Sequence, residues 1–420
     1  MIADILEEHL DEISWLYEHR GLLLRTYDSR LENLEHCDRR WLGHLQGLVG
    51  AGEAVSGMVE QGLAEEDPGK TFACVAALSA LGGERGREGL EALLAVEAEP
   101  MLEALVLGVA LPDRPLDSEL LAGWLYSDDE PSMVAALRIL RTRGKAPDEM
   151  RLRSLLNPIG QPDAVLAEAL GLAGDLKIGS VLGRVEKSID SAVPAVRRAA
   201  LRAAVLLGKK EHGAAWRESL RDAERPGDVL ELGVIAGRKD MDALASRLET
   251  PALAPAAAVA LAWTGKPEVV DRLLPLLERP AVAPLVGHAL RLLFGLDVEA
   301  QKLVLEPPPA ASGAGEPGPE EEDNVDLAEA ALGLPVPDAE KVRAWWKDNR
   351  SAYAPEIRWR LGRPLARQTT LEILNEGFLG DRGPAALELA LTVPEIPVLS
   401  TTDLGLRQRS ALDAMARARV

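Results

Sequence analysis

Alanine and leucine recur at helical spacing through the middle of this chain, and each apolar block closes on a glycine. The blocks are 135–144 (AALRILRTRG), 167–174 (AEALGLAG), 199–208 (AALRAAVLLG), 230–237 (LELGVIAG), 256–265 (AAAVALAWTG) and 287–295 (GHALRLLFG). Their closing glycines fall 30, 34, 29, 28 and 30 residues apart, the signature of stacked two-helix units. A glycine there suits the left-handed residue after a helix C-terminus, where a side chain would clash. Residues 179–188 predict a further helix with Leu182 and Val185 on one face, and Asp190, Ser191 and Pro194 mark the turn after it. In the next helix, 195–207, Val196, Ala199, Ala200, Ala203, Ala204 and Leu207 form an apolar stripe, while Arg197, Arg198 and Arg202 face elsewhere. One hairpin cannot cover its own stripe, so neighbours must stack. The expected fold is all-α, an α-solenoid of short helical hairpins.

The ends of the chain read differently. Positions 4–25 predict an acidic amphipathic helix with Ile5, Leu6, Leu10, Ile13, Leu16 and Tyr17 as its apolar set, and a second helix is expected over 30–58. Residues 306–323 (EPPPAASGAGEPGPEEED) are acidic and rich in proline and glycine, the composition of a flexible linker. The expected organisation is an N-terminal cap over 1–65, a repeat array over 66–305, the linker over 306–323, and further helical repeats capping the stack over 324–420.

Composition narrows the partners. Hydrophobic residues make up 47 % of the chain but aromatics only 4 %, so alanine against leucine must build the core. The formal net charge of −20 repels phosphate backbones and anionic membrane faces, so neither nucleic acid nor membrane is an expected partner. Cys37 and Cys74 match no metal-ligand spacing and point to a reducing compartment. The acidic start and the lack of a long apolar run make the cytoplasm the expected location.

The segment DSAVPAVRRAALRAAVLLG at 190–208 resembles the HEAT repeat in its short bacterial form, through Pro194, Arg197 and the Ala199-Ala200 pair. That likeness covers roughly residues 70–300 and implies a HEAT-like solenoid. The stretch CDRRWLGHLQGLVGAGEA at 37–54 is similar to the N-terminal signature of an uncharacterised bacterial HEAT-like family, often encoded beside type VI secretion components. Asp38, Arg40, Leu42, His44, Leu45, Gly47, Leu48, Ala51 and Gly52 carry it, with Gln46 where an acidic residue is expected. WRLGRPL at 359–365 and GPAALELALTVPEIPV at 383–398 resemble the C-terminal end of the same family. The resemblance implies a protein-binding adaptor or chaperone, accessory to type VI secretion.

Candidate chemistry concentrates in two places. Four of six histidines (His9, His19, His36 and His44) lie in the first 44 residues, three of them directly after a glutamate. HEAT-like enzymes with two irons use repeated His-Glu pairs on separate repeats, so a metal-dependent enzyme built on these histidines is one alternative; polar residues on an amphipathic hairpin are the other reading. Between 343 and 367, Trp345, Trp346, Tyr353 and Trp359 interleave with Lys347, Arg350, Arg358, Arg360, Arg363 and Arg367. That composition fits core packing under snorkelling arginines, a protein-docking hot spot, or a nucleic-acid face, the last opposed by the net charge. Trp345, Trp346, Arg358, Trp359, Arg360, Arg363 and Arg367 are the candidate docking residues. The glycine-rich strings at 47–52 and 80–89 lack a following Gly-Lys-Ser/Thr, and no Gly-x-Ser-x-Gly elbow occurs. The expected function is a non-enzymatic protein-interaction scaffold without cofactor; an uncapped repeat end can also pair with its twin as a homo-oligomer.

Overall fold

The computed structural model describes residues 2–63, 65–94, 98–222, 224–305, 331 and 333–417. Among them are 22 α-helices and one two-stranded ribbon, an all-α helical-repeat fold. No helix among these residues is long and apolar enough to cross a membrane. The expected linker at 306–323 lies outside the described residues. Contacts divide the chain into two compact units, the first comprising Met1–Leu24, Leu31–His212 and Pro394–Val420, the second Arg25–Arg30 and Gly213–Val393.

The first unit opens with α1 (Ile2–Arg25), α2 (Leu31–Ala51), α3 (Ser56–Leu63), α4 (Pro68–Leu81), α5 (Gly83–Leu93) and α6 (Glu99–Ala110). It continues through α7 (Ser118–Leu125), α8 (Glu130–Thr142), α9 (Glu149–Leu155), α10 (Asp163–Asp175), α11 (Leu182–Val185) and α12 (Pro194–Leu206). Aspartates start several of these helices: Asp67, Asp117, Asp129 and Asp148 each accept hydrogen bonds from first-turn amides, with proline at the first turn of α4 and α8. α4, α6, α8, α10 and α12 pack in succession, and their apolar stripes fuse into one core from Val75 to Ala204. Close approach depends on small residues. A Cβ on Gly174 would meet the Cα of Ala203 at 2.7 Å, which fixes how tightly α10 lies on α12.

The repeat length reappears as ion pairs between repeats. Arg87 with Asp117 and Arg138 with Glu168 are both 30 residues apart. Asp175, buried at the end of α10, takes Arg141 from α8 and Arg202 from α12. Burial works against its ionisation, yet the two guanidiniums win and hold its pKa below the ordinary carboxylate value. Arg202, expected off the apolar stripe, thus reaches across to the end of α10. A second device recurs: Arg143 donates to the carbonyl of Ala110 (2.9 Å), at the end of α6 where carbonyls lack helical partners, and to that of Pro112 (3.2 Å) just beyond it.

Gly144, Gly208, Gly265 and Gly295 adopt the expected positive φ, at 61°, 100°, 71° and 68°. Gly174 instead lies inside α10, and Lys177 takes the left-handed turn (φ 56°) because the packing against Ala203 claims the glycine. Gly237 is extended, with φ −98°. The expected second helix stops at Ala51, where Gly52 (φ 59°) breaks it into a short 3-10 turn and α3.

The second unit holds α13 (Gly213–Leu220), α14 (Pro226–Ile235), α15 (Met241–Ser246), α16 (Ala254–Trp263), α17 (Val270–Leu273) and α18 (Ala283–Phe294). After these come α19 (Ala339–Asn349), β1 (Trp359–Arg360), β2 (Arg363–Pro364), α20 (Arg367–Glu376) and α21 (Leu379–Thr392). The last helix, α22 (Gly405–Arg417), belongs to the first unit. α16 packs between α14 and α18 and is buried on nearly every side, as its all-apolar sequence APAAAVALAW requires. Arg238 with Glu268 and Arg272 with Asp242 repeat the 30-residue pairing. The antiparallel ribbon, Trp359 opposite Pro364 and Arg360 opposite Arg363, was not expected from the sequence.

Candidate interaction surface

The tryptophan- and arginine-rich segment is folded inward. Asp338 caps α19 and sets Trp346 into the unit, 7 % exposed, against Phe294 at the end of α18 (5.2 Å between rings). Tyr353 closes on the same Phe294 at 4.1 Å, partly exposed Trp345 at 6.1 Å, and Trp359 meets Tyr353 edge-on while its indole donates to the Ala354 carbonyl. Arg360 is fully buried, and all five of its N–H donors are used. Its acceptors are both oxygens of Glu388 and the carbonyls of Ala262, Trp263 and Trp359, with the guanidinium 4.5 Å over the Trp263 ring. Arg358 adds bonds to Val234, Trp263 and Thr264 carbonyls at 3.1 Å and to Glu388 at 3.0 Å. Burial depresses the Arg358 pKa, with Glu388 opposing.

Backbone completes the arrangement: the amides of Trp359, Leu361 and Gly362 donate to Gly265, Leu292 and Leu293. Residues 358–362 thus supply cations and N–H donors to the ends of α14, α16 and α18, where carbonyls lack helical partners and the helix dipoles are negative. Of the candidate docking residues, Arg358 and Arg360 are committed to this internal role and Trp346 is packed against Phe294, which corrects their assignment to a surface. Arg363 is exposed and pairs with Glu372, and Arg367 sits partly buried in the first turn of α20.

The N-terminal signature residues divide in the same way. Asp38 is buried and accepts from Arg20 Nε (2.8 Å), Trp41 Nε1 (3.1 Å) and the Gly405 amide (2.7 Å). Arg20 also donates to the carbonyls of Thr402 and Asp403, so the pair fastens α22 onto the first hairpin. His44 meets His9, Nδ1 to Nδ1, at 3.0 Å, one ring donating and the other accepting. Gly47 is where this pair needs room, since a Cβ there would lie 2.6 Å from His9 Nε2. His19 lies elsewhere, stacked on Trp15, and His36 is exposed. Among the described residues, no group of three or more His, Cys, Asp or Glu could hold a metal ion.

The outer face of α1 stands in solvent. Asp4, Glu7, Glu8, Asp11, Glu12 and Trp15 line one shallow depression. Trp15 is 51 % exposed, stacked on His19 (5.1 Å) with the Arg40 guanidinium 5.6 Å from its ring. Ile5, expected in the buried set, is 49 % exposed on that side of the helix. The signal for this face was present in the sequence: Asp4, Glu8, Asp11 and Trp15 follow one another at steps of 4, 3 and 4. No family model and no curated protein matches this chain.

Proposed function

We propose that this protein is a non-enzymatic interaction scaffold that docks a basic protein segment on the outer face of α1. The observation that carries the reading is a half-exposed tryptophan set among carboxylates on one helix face. Tryptophan supplies a large apolar anchor at low entropic cost, and the surrounding charge steers a lysine- or arginine-rich partner. The chain's net charge of −20 extends the same preference. A cytoplasmic adaptor or chaperone accessory to type VI secretion is the setting that the likeness of residues 37–54, 359–365 and 383–398 suggests.

The test is comparative affinity capture from the native host with mass-spectrometric readout. Wild-type protein should enrich a basic partner that the Trp15→Ala/Glu7→Lys/Glu8→Lys variant loses, while circular dichroism stays unchanged. Recovery of the same partners by both proteins would refute the docking face.

A further inference from the structure

The second unit contains a cleft of about 150 Å³ lined by Arg30, His288, Arg291, Glu376 and Asp381 over an apolar floor of Leu292, Leu361 and Ile373. We propose that this cleft binds the oxyanion of a small ligand, a carboxylate or a phosphate, with Arg291 as its principal anchor.

Arg291 is partly buried in α18 and its guanidinium lies 4.2 Å over the Phe378 ring, yet among the described residues the side chain has neither a hydrogen bond nor an ion pair. Arg30 approaches the same ring at 5.8 Å. Two guanidiniums therefore share one ring, and burial lowers the Arg291 pKa against the opposing pull of Asp381, with smaller effects from Arg30, which lowers it, and Asp297, which raises it. A planar or tetrahedral oxyanion relieves both costs through charge-assisted bonds to the guanidinium fork.

The other charges of the cleft are largely spoken for. Glu372 is held by Arg363 outside the cleft, and Asp381 accepts from His288 Nε2 at 3.1 Å. His288 is 4 % exposed and committed to Asp381 through Nε2, so the arginines are left as the donors of the cleft. The first amides of α21 are engaged: Leu379 donates to Ser29, Gly380 to Thr26 and Asp381 to Phe378. The side chains, and not the helix end, would carry the binding. Glu376, exposed at the rim, disfavours extended polyanions, so the ligand class is a small oxyanion, a single carboxylate or phosphate group.

Isothermal titration of the full-length protein with inorganic phosphate and, separately, acetate, each against chloride at equal ionic strength, tests this site independently of the α1 docking face. The expected result is saturable binding of one or both anions, weakened about tenfold or more by Arg291→Gln, the loss expected for a charge-assisted contact of about 1.4 kcal/mol. Saturation by phosphate alone assigns a tetrahedral group, and saturation by acetate alone a carboxylate. If Arg291→Gln does not fold, Arg291→Lys decides: binding about threefold weaker or worse supports the bidentate fork, and unchanged binding overturns it. No saturable heat for either anion, or equal binding by wild type and variant, also overturns the proposal.

Discussion

In the first unit the ring of Trp15 stands half in solvent among the carboxylates of α1, whereas in the second unit Trp346, Arg358 and Arg360 are drawn in beneath the ends of three helices. Both stretches combine aromatic rings with charge. The difference lies in what else needs those charges. Helix C-termini that meet inside a unit leave carbonyls without partners, and a guanidinium with five donors in a fork answers several at once. On α1 the buried stripe is Leu6, Leu10, Ile13 and Leu16, with Arg20 turned in to Asp38, and among the outer carboxylates Asp11 and Glu12 meet Lys70 and Arg40 at the surface. A cluster of rings and cations is thus weak evidence for a docking face wherever helices end nearby.

Mutations break this comparison most sharply on the inward side. Arg360→Leu leaves Glu388 buried with half its partners and should destabilise the protein by about 3–5 kcal/mol, read by urea unfolding. Asp38→Asn weakens the buried bond to Arg20 and should cost about 3 kcal/mol, with accelerated proteolysis of the C-terminal helix as the local signature. Gly174→Ala forces α10 away from Ala203 and should cost about 1–3 kcal/mol.

The two thiols give a pH test of the same packing. Burial, with Asp38 adding to it, pushes Cys37 from 9.0 to about 11; burial pushes Cys74 to about 12. Both stay protonated in the folded chain at pH values where the unfolded chain ionises. Their contribution to stability is therefore complete below pH 9 and is lost as pH climbs toward 11 and 12. Neither should react with a thiol reagent at neutral pH until the protein unfolds. The smallest effect belongs to the outward side: Trp15→Ala should change stability by no more than about 0.5 kcal/mol while abolishing partner capture. Arg363→Glu should alter neither the melting temperature nor capture.

The repeat was legible because its cause is local. Apolar spacing, closing glycines and capping aspartates act within a few residues, and a period near 30 already announces stacking. The acidic face of α1 was also readable from spacing, although Ile5 is drawn out of the apolar stripe. The role of residues 358–362 was not, since Arg358 and Arg360 bind carbonyls 94 to 124 residues earlier in the chain. Asp38 likewise finds the Gly405 amide 367 residues away. Lys177 shows the same limit on a smaller scale: a tertiary contact took the glycine that local rules assigned to the helix end.

Hydrogen–deuterium exchange, with and without the captured partner, separates the two faces most directly. The expected outcome is slow exchange at the amides of Trp359, Leu361 and Gly362 in the free protein, unchanged on binding, with new protection confined to α1. Fast exchange at 359–362 that becomes protected only when the partner binds, with α1 unaffected, would reverse the assignment of the inner and outer clusters.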